Sequence, residues 1–171
     1  MSGLGADAER ALHRFVGRLD YPMFVVTTVA TDDGERSGCL VGFATQCSIH
    51  PPRWTVWLSV VNHTCAVARR AELLAVHALS AANRDLAELF GGESGDQIDK
   101  FSRCGWSAGP GGVPVLDGVP GWFVGRIATE LPATGDHAGF LVDPVAAWIA
   151  DTGAAGLGYQ SAKRIEPGHT P

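Results

Sequence analysis

The side chains able to do chemistry are densest in residues 37–64, which read SGCLVGFATQCSIHPPRWTVWLSVVNHT. Along its first half, Cys39, Leu40, Val41, Gly42, Thr45, Gln46 and Ser48 form an extended run rich in small and polar residues, against which a flat ring could lie. The triplet Asn62, His63, Thr64 then opens a helix, offering hydroxyl, amide and main-chain donors where anions bind. A flat ring at one end and a phosphate at the other describe a flavin nucleotide. Hydride transfer to such a ring needs no side-chain nucleophile, because a shaped pocket and fixed dipoles supply most of the catalysis.

Other chemistries find less support. The six histidines, at 13, 50, 63, 77, 137 and 169, show no H-x-x-x-H or H-E-x-x-H spacing, so no metal site is expected. No nucleophile elbow is present, and no carboxylate pair suggests hydrolysis. Neither G-x-G-x-x-G nor G-x-x-x-x-G-K-[ST] occurs, so a nucleotide must be held without a Rossmann or P-loop device. The net charge of −5, with basic residues scattered, argues against nucleic acid and anionic lipid as partners. No window approaches the ~18 apolar residues of a membrane span. The four cysteines form no C-x-x-C pair and follow no secretory segment, so free thiols in a cytoplasmic protein are expected.

These residues need elements to position them. At 171 residues and 46% hydrophobic composition, the chain suits one domain over 1–171 with a sizeable core. Its 22 glycines and 10 dispersed prolines favour many short strands. Leu12, Phe15, Val16 and Leu19 recur at helical spacing, which predicts an amphipathic helix over 7–19 within an N-terminal segment 1–20. A β-branched run at 23–31, the turn residues Asp32, Asp33 and Gly34, and a second strand over 37–47 read as a hairpin. Pro51 and Pro52 stop pairing. Trp54, Val56, Leu58 and Val60 alternate with Trp57 on the opposite face, as in a strand with one side buried.

A short helix at 62–70, a buried strand at 73–79 and a helix at 83–90 follow. Two long strands, 121–131 and 137–149, are joined by a turn at 132–136. The tail 151–171 is expected along the surface. Trp54, Trp122 and Trp148 fall at packing positions, while Trp106 sits nearer the expected pocket. Six or more strands with three short helices fit a mainly β antiparallel barrel, Greek-key-like, with helices plugging its ends.

The ordered motifs resemble the flavin reductase-like family, FMN-binding split barrels that reduce flavin for two-component monooxygenases. A glycine-opened strand ending in Ser-x-Asp-Pro-Pro is similar to Gly38 through Ser48-Ile49-His50-Pro51-Pro52. The family's phosphate turn is similar to Asn62-His63-Thr64, and its aromatic-Ala-Val-Asn-Val-Leu strand to Leu74-Ala75-Val76-His77-Ala78-Leu79. Lys100-Phe101 with Trp106, the run from Pro114 to Gly118, and Gly135-Asp136-His137 with Phe140 complete the set. Leu40, Gly42, Phe43, Gln46 and His50 depart from the family's Thr, Ser-Ser, Ser and Asp, so more ring contacts must come from backbone N–H groups.

The resemblance implies FMN or FAD as cofactor, NADH or NADPH as donor, a homodimer and a monooxygenase partner. It places His137 beside the flavin and nicotinamide, and Lys100 and Phe101 near the phosphate or ring. Against these stand plainer readings: His137 as a turn histidine satisfied by Asp136 or by water, Thr64 or Asn62 as a helix cap, and Lys100-Phe101 as helix-end packing. An F420-binding oxidoreductase and a non-catalytic flavin or haem binder are the alternative functions.

Overall fold

A computed structural model describes residues 3–93, 98–132, 135–150, 153–166 and 168. Nine strands carry it: β1 (Phe24–Val29), β2 (Arg36–Val41), β3 (Ala44–Ser48), β4 (Arg53–Ser59), β5 (Leu73–Ala78), β6 (Trp106–Ala108), β7 (Pro114–Leu116), β8 (Gly121–Leu131) and β9 (His137–Ile149). The helices are α1 (Ala6–Val16), α2 (His63–Ala68), α3 (Arg84–Gly92) and α4 (Tyr159–Ala162). Seven strands form one antiparallel sheet in the order β2-β1-β5-β8-β9-β4-β3, and β6 and β7 pair separately. The mainly β fold with few short helices is the one the sequence predicts. The bounds of β8 and β9 match the two long strands; their turn lies partly outside the described residues.

One element differs in a way that matters. The strand expected over 37–47 is two strands at opposite edges of the sheet. The chain leaves β1 at Gly42, where a Cβ would lie 2.5 Å from the Tyr21 ring and 3.2 Å from the Met23 sulfur. Phe43 then offers its carbonyl to the Trp57 N–H at 2.9 Å, which hands the chain to β4. The sheet curls so that its two edges flank this break, giving a half-barrel with a seam between β2 and β3.

Burial explains why the strands read as they do. β1 is covered on both faces: Phe24 and Val26 join a cluster with Val56, Leu58, Val76 and Phe140, while Val25 packs with Leu79, Phe90 and Leu116. A continuous β-branched run is what a strand buried on both sides requires. In β4, Val56 and Leu58 are buried as expected, but Val60 lies past the strand end and is exposed. Trp54 packs edge-on against Phe24 and Phe123, whereas Trp148 is half exposed.

β5 carries a fully buried histidine that ties three strands. His77 Nδ1 donates to the Val25 carbonyl at 2.9 Å, and its Nε2 accepts the Leu116 N–H at 3.0 Å. These partners dictate the neutral Nδ1–H tautomer, because both protonated nitrogens could not serve them. Burial pushes its pKa down to about 4.

The two ends depart from expectation. α1 forms but buries none of its residues; Leu12, Phe15 and Val16 stay exposed. The tail, expected on the surface, is tied in over its described residues. Met23 N donates to Leu157 O at 2.8 Å, Leu157 N to Leu79 O at 2.7 Å, and Tyr159 N to Tyr21 O at 2.9 Å. Leu157 and Ala162 are buried as a result. Two apolar residues among glycines left no periodic signal to predict this.

Candidate functional site

The seam opens a cavity of about 330 Å³, within the roughly 300–1,000 Å³ of small-molecule sites. One wall is the end of β2 and the turn beyond it, Cys39 through Phe43. The opposite wall is Trp57, Leu58 and Ser59 of β4, and the rim carries Asn62 and His137. Trp57 fits because β9 has glycine beneath it: a Cβ on Gly139 would lie 2.9 Å from the indole ring. The alternation that buries Val56 and Leu58 therefore turns Trp57 toward the seam.

Aromatic rings continue the wall. Tyr159 stacks on Tyr21 with centroids 4.7 Å apart, Tyr21 meets Phe43 at 6.1 Å, and Phe43 meets the His137 ring at 5.2 Å. Burial, and then the neighbouring Tyr159, pushes the Tyr21 phenol pKa upward, which keeps it a neutral hydroxyl.

His137 combines both sequence readings. It lines the cavity, and its Nδ1 lies 2.7 Å from Asp136 Oδ1. That hydrogen bond holds the Asp136 carboxyl below its usual range and leaves Nε2 as the ring atom open to other partners.

The polar triplet is likewise engaged. Asn62 caps α2 by accepting the Thr64 N–H at 2.9 Å. Buried Thr64 shares a 2.9 Å hydrogen bond with Ser37. His63 Nε2 meets Glu35 Oε1 at 2.7 Å, and Glu35 in turn pairs with Arg70. Arg70 also reaches Asp32 at 2.8 Å and Asp33 at 2.9 Å. The Glu35 N–H, followed by Arg70, keeps the Asp33 carboxyl below its ordinary range. Asn62→Ala is expected to cost about 1 kcal/mol, the usual value of such a cap, and urea denaturation would read it.

The structure thus brings Cys39, Leu40, Val41, Gly42, Asn62 and His137 together around one cavity. Cys39 is a packing residue there, since burial pushes its thiol up to about 11. Thr45, Gln46 and Ser48 sit on the edge strand β3 instead, and the Gln46 amide donates to the Ser48 carbonyl at 2.9 Å. Lys100 and Phe101 lie beneath the β2 wall. The Lys100 ammonium donates to Gly38 O at 3.1 Å and Phe90 O at 3.2 Å, while Phe101 packs on Phe90 and Trp106. Trp106 donates to Phe101 O and carries Arg36 over its ring.

Sequence reasoning did not place Tyr21, Met23, Phe43, Trp57, Leu58, Ser59 or Tyr159 at the site. Phe43, in place of a hydroxyl residue, was the one available signal.

A cavity walled by strand backbone, closed by aromatics and rimmed by an amide and an imidazole suits a flat, partly polar ring. Known sequences agree. The profile of the flavin reductase like domain family matches residues 16–166. The chain belongs to that family.

Among relatives of this flavin reductase like domain is the reductase subunit of stachydrine N-demethylase from Rhizobium meliloti. It is 30% identical over 154 residues, 88% of this chain and 62% of that subunit. The NADH-dependent FMN reductase RutF of Stutzerimonas stutzeri is 29% identical over 129 residues, 74% of this chain and 73% of its own. This chain therefore spans somewhat under two thirds of the Rhizobium subunit's length. In structure it resembles the flavin reductase domain protein of Arthrobacter sp. FB24, with a TM-score of 0.78 at 24% identity over 90% of this chain and 91% of that one. That likeness identifies the flavin reductase like domain as a split barrel.

Proposed function

We propose that the chain, a single domain over 1–171, binds FMN or FAD in the seam cavity and reduces it with NADH or NADPH. The observation that carries this reading is the cavity itself, backbone-walled and aromatic-lined on a flavin reductase like domain. When bound, the flavin supplies a ring that accepts hydride from the nicotinamide. The protein's own part is positional. Gly42 leaves β2 flat where a side chain would intrude. Trp57, Leu58 and Phe43 exclude water, which strengthens every polar contact within. The side-chain amide of Asn62 offers donors for the phosphate, and His137, oriented by Asp136, presents Nε2 at the rim.

A partner enzyme that receives the electrons, such as a monooxygenase, is supported by the Rhizobium relative, which is a reductase subunit. A second, the reductase component of a flavin-dependent trigonelline monooxygenase from Acinetobacter baylyi, is 26% identical over 83% of this chain and 44% of its own length. A homodimer is supported by the unpartnered stripe of α1 and by exposed Val145, Trp148 and Ile149 at the end of β9. Free cysteines suit a cytoplasmic setting.

The experiment is an anaerobic absorbance spectrum with FMN or FAD, before and after NADH and then NADPH. Bleaching of the flavin band is expected; a bound flavin that neither donor bleaches would make the protein a flavin binder. His137→Ala is expected to slow NAD(P)H oxidation about 10- to 100-fold, the worth of one charge-assisted hydrogen bond, with flavin affinity unchanged. Wild-type turnover in that variant would remove His137 from the mechanism.

A further inference from the structure

Among the apolar residues that wall the seam cavity, Met23, Cys39, Val41 and Leu58 are buried in the core, whereas Phe43 is 50% exposed. The turn that carries it, between β2 and β3, is fixed by the backbone through the 2.9 Å bond from Trp57 N–H to Phe43 O. The phenyl ring is therefore not what holds the chain there. Two neighbours set its position instead. Its centroid lies 5.2 Å from that of His137 at an interplanar angle of 59°, and 6.1 Å from that of Tyr21 at 48°. Tyr21 is itself braced by its stack on Tyr159. Neither tilted contact of Phe43 is a parallel stack. The ring is thus positioned by its neighbours yet keeps surface to give a ligand.

We propose that Phe43 makes the site discriminate between the two redox states of the flavin, holding the oxidised ring and loosening the reduced one. The inference rests on the flavin reductase reading above. Phe43 continues the β2 wall on which that reading lays the ring system. The face of a phenyl ring carries partial negative charge. An oxidised isoalloxazine is electron-poor and gains from such a face. The same ring is electron-rich once it has accepted hydride, two electrons and a proton, from the nicotinamide, which leaves oxidised. Against an electron-rich ring the phenyl face gains little. Hydride transfer thus takes away the contact that Phe43 supplies, and the reduced flavin leaves more readily. A hydroxyl residue, which the family's pattern has at this point, offers no ring face, so the discrimination belongs to this chain's own residue.

The test compares Phe43→Leu, which keeps the apolar bulk, with Phe43→Tyr, which keeps the ring. Dissociation constants for oxidised FMN and FAD are read by flavin fluorescence, and the midpoint potential of the bound flavin by anaerobic titration with dithionite. Circular dichroism confirms the fold. Phe43→Leu is expected to weaken binding of the oxidised flavin about tenfold, the worth of one aromatic stack. With reduced-flavin affinity unchanged, the midpoint potential then rises by about 30 mV, the two-electron equivalent of tenfold. Phe43→Tyr should give the wild-type values. An equal loss for both redox states, which leaves the potential unmoved, would make Phe43 a packing residue and overturn the proposal. So would wild-type affinity in Phe43→Leu, or a raised KM for NADH with flavin affinity unchanged, which would put the ring against the nicotinamide. A wild-type protein that binds neither flavin would instead refute the flavin reductase reading.

Discussion

Acidification from pH 6.5 to 4 is expected to remove roughly 3 kcal/mol of stability through His77 alone. In the fold its pKa is about 4, against 6.5 ordinarily, because burial disfavours the imidazolium. Between those values the unfolded chain binds a proton that the folded chain refuses. The contribution is therefore complete above pH 6.5, declines as pH falls, and levels off below about 4. Asp33 and Asp136, whose carboxyls are held below their usual range, lose their contributions only at still lower pH, and both are solvent-exposed.

Urea unfolding at pH 7, 5.5 and 4 would trace this curve. His77→Phe removes the titration and leaves Val25 O and Leu116 N without the ring. It should cost about 2–4 kcal/mol at pH 7 and flatten the dependence between pH 6.5 and 4. An equally steep acid loss in the variant would move the effect elsewhere.

Gly42→Val is expected to weaken flavin binding at least about 100-fold, or roughly 2.7 kcal/mol. The new Cβ would fall 2.5 Å from Tyr21 Cε2, and the ring could retreat only by disturbing its stack on Tyr159. Both rings line the cavity, so the displacement narrows the space left for a flavin. Gly42→Ala makes the milder version of the same clash and should show a smaller loss of the same sign. Fluorescence titration with FMN, alongside circular dichroism to confirm the fold, decides the matter. Wild-type affinity in both variants would mean that the seam is not the flavin site.

Local signals account for much of the architecture. The alternation of Trp54, Val56 and Leu58 marked β4 and, by exclusion, placed Trp57 on its other face. The long runs at 121–131 and 137–149 needed no tertiary knowledge, since flanking turn residues bound them. Asn62 as a cap was legible because an Asn before a helix has a local hydrogen bond to make. The break at Gly42 was not legible: nothing local distinguishes it from a glycine inside a strand, and the Tyr21 ring that packs against it comes from elsewhere in the chain.

The candidate site divides along the same line. The stretch 37–64 announced a flat ring beside a polar helix start, and its order with Gly135-Asp136-His137 pointed to the family, because residue types and spacing are carried by the chain itself. Which of those residues share a cavity depended on contacts between positions far apart in sequence. Curling of the sheet put Gly42 and His137 around one cavity and carried Gln46 and Ser48 to an outer edge. Packing under β2 engaged Lys100 with backbone carbonyls. A tail with no periodicity supplied Tyr159, because its hydrogen bonds run to strand ends and loop carbonyls that only the folded chain assembles.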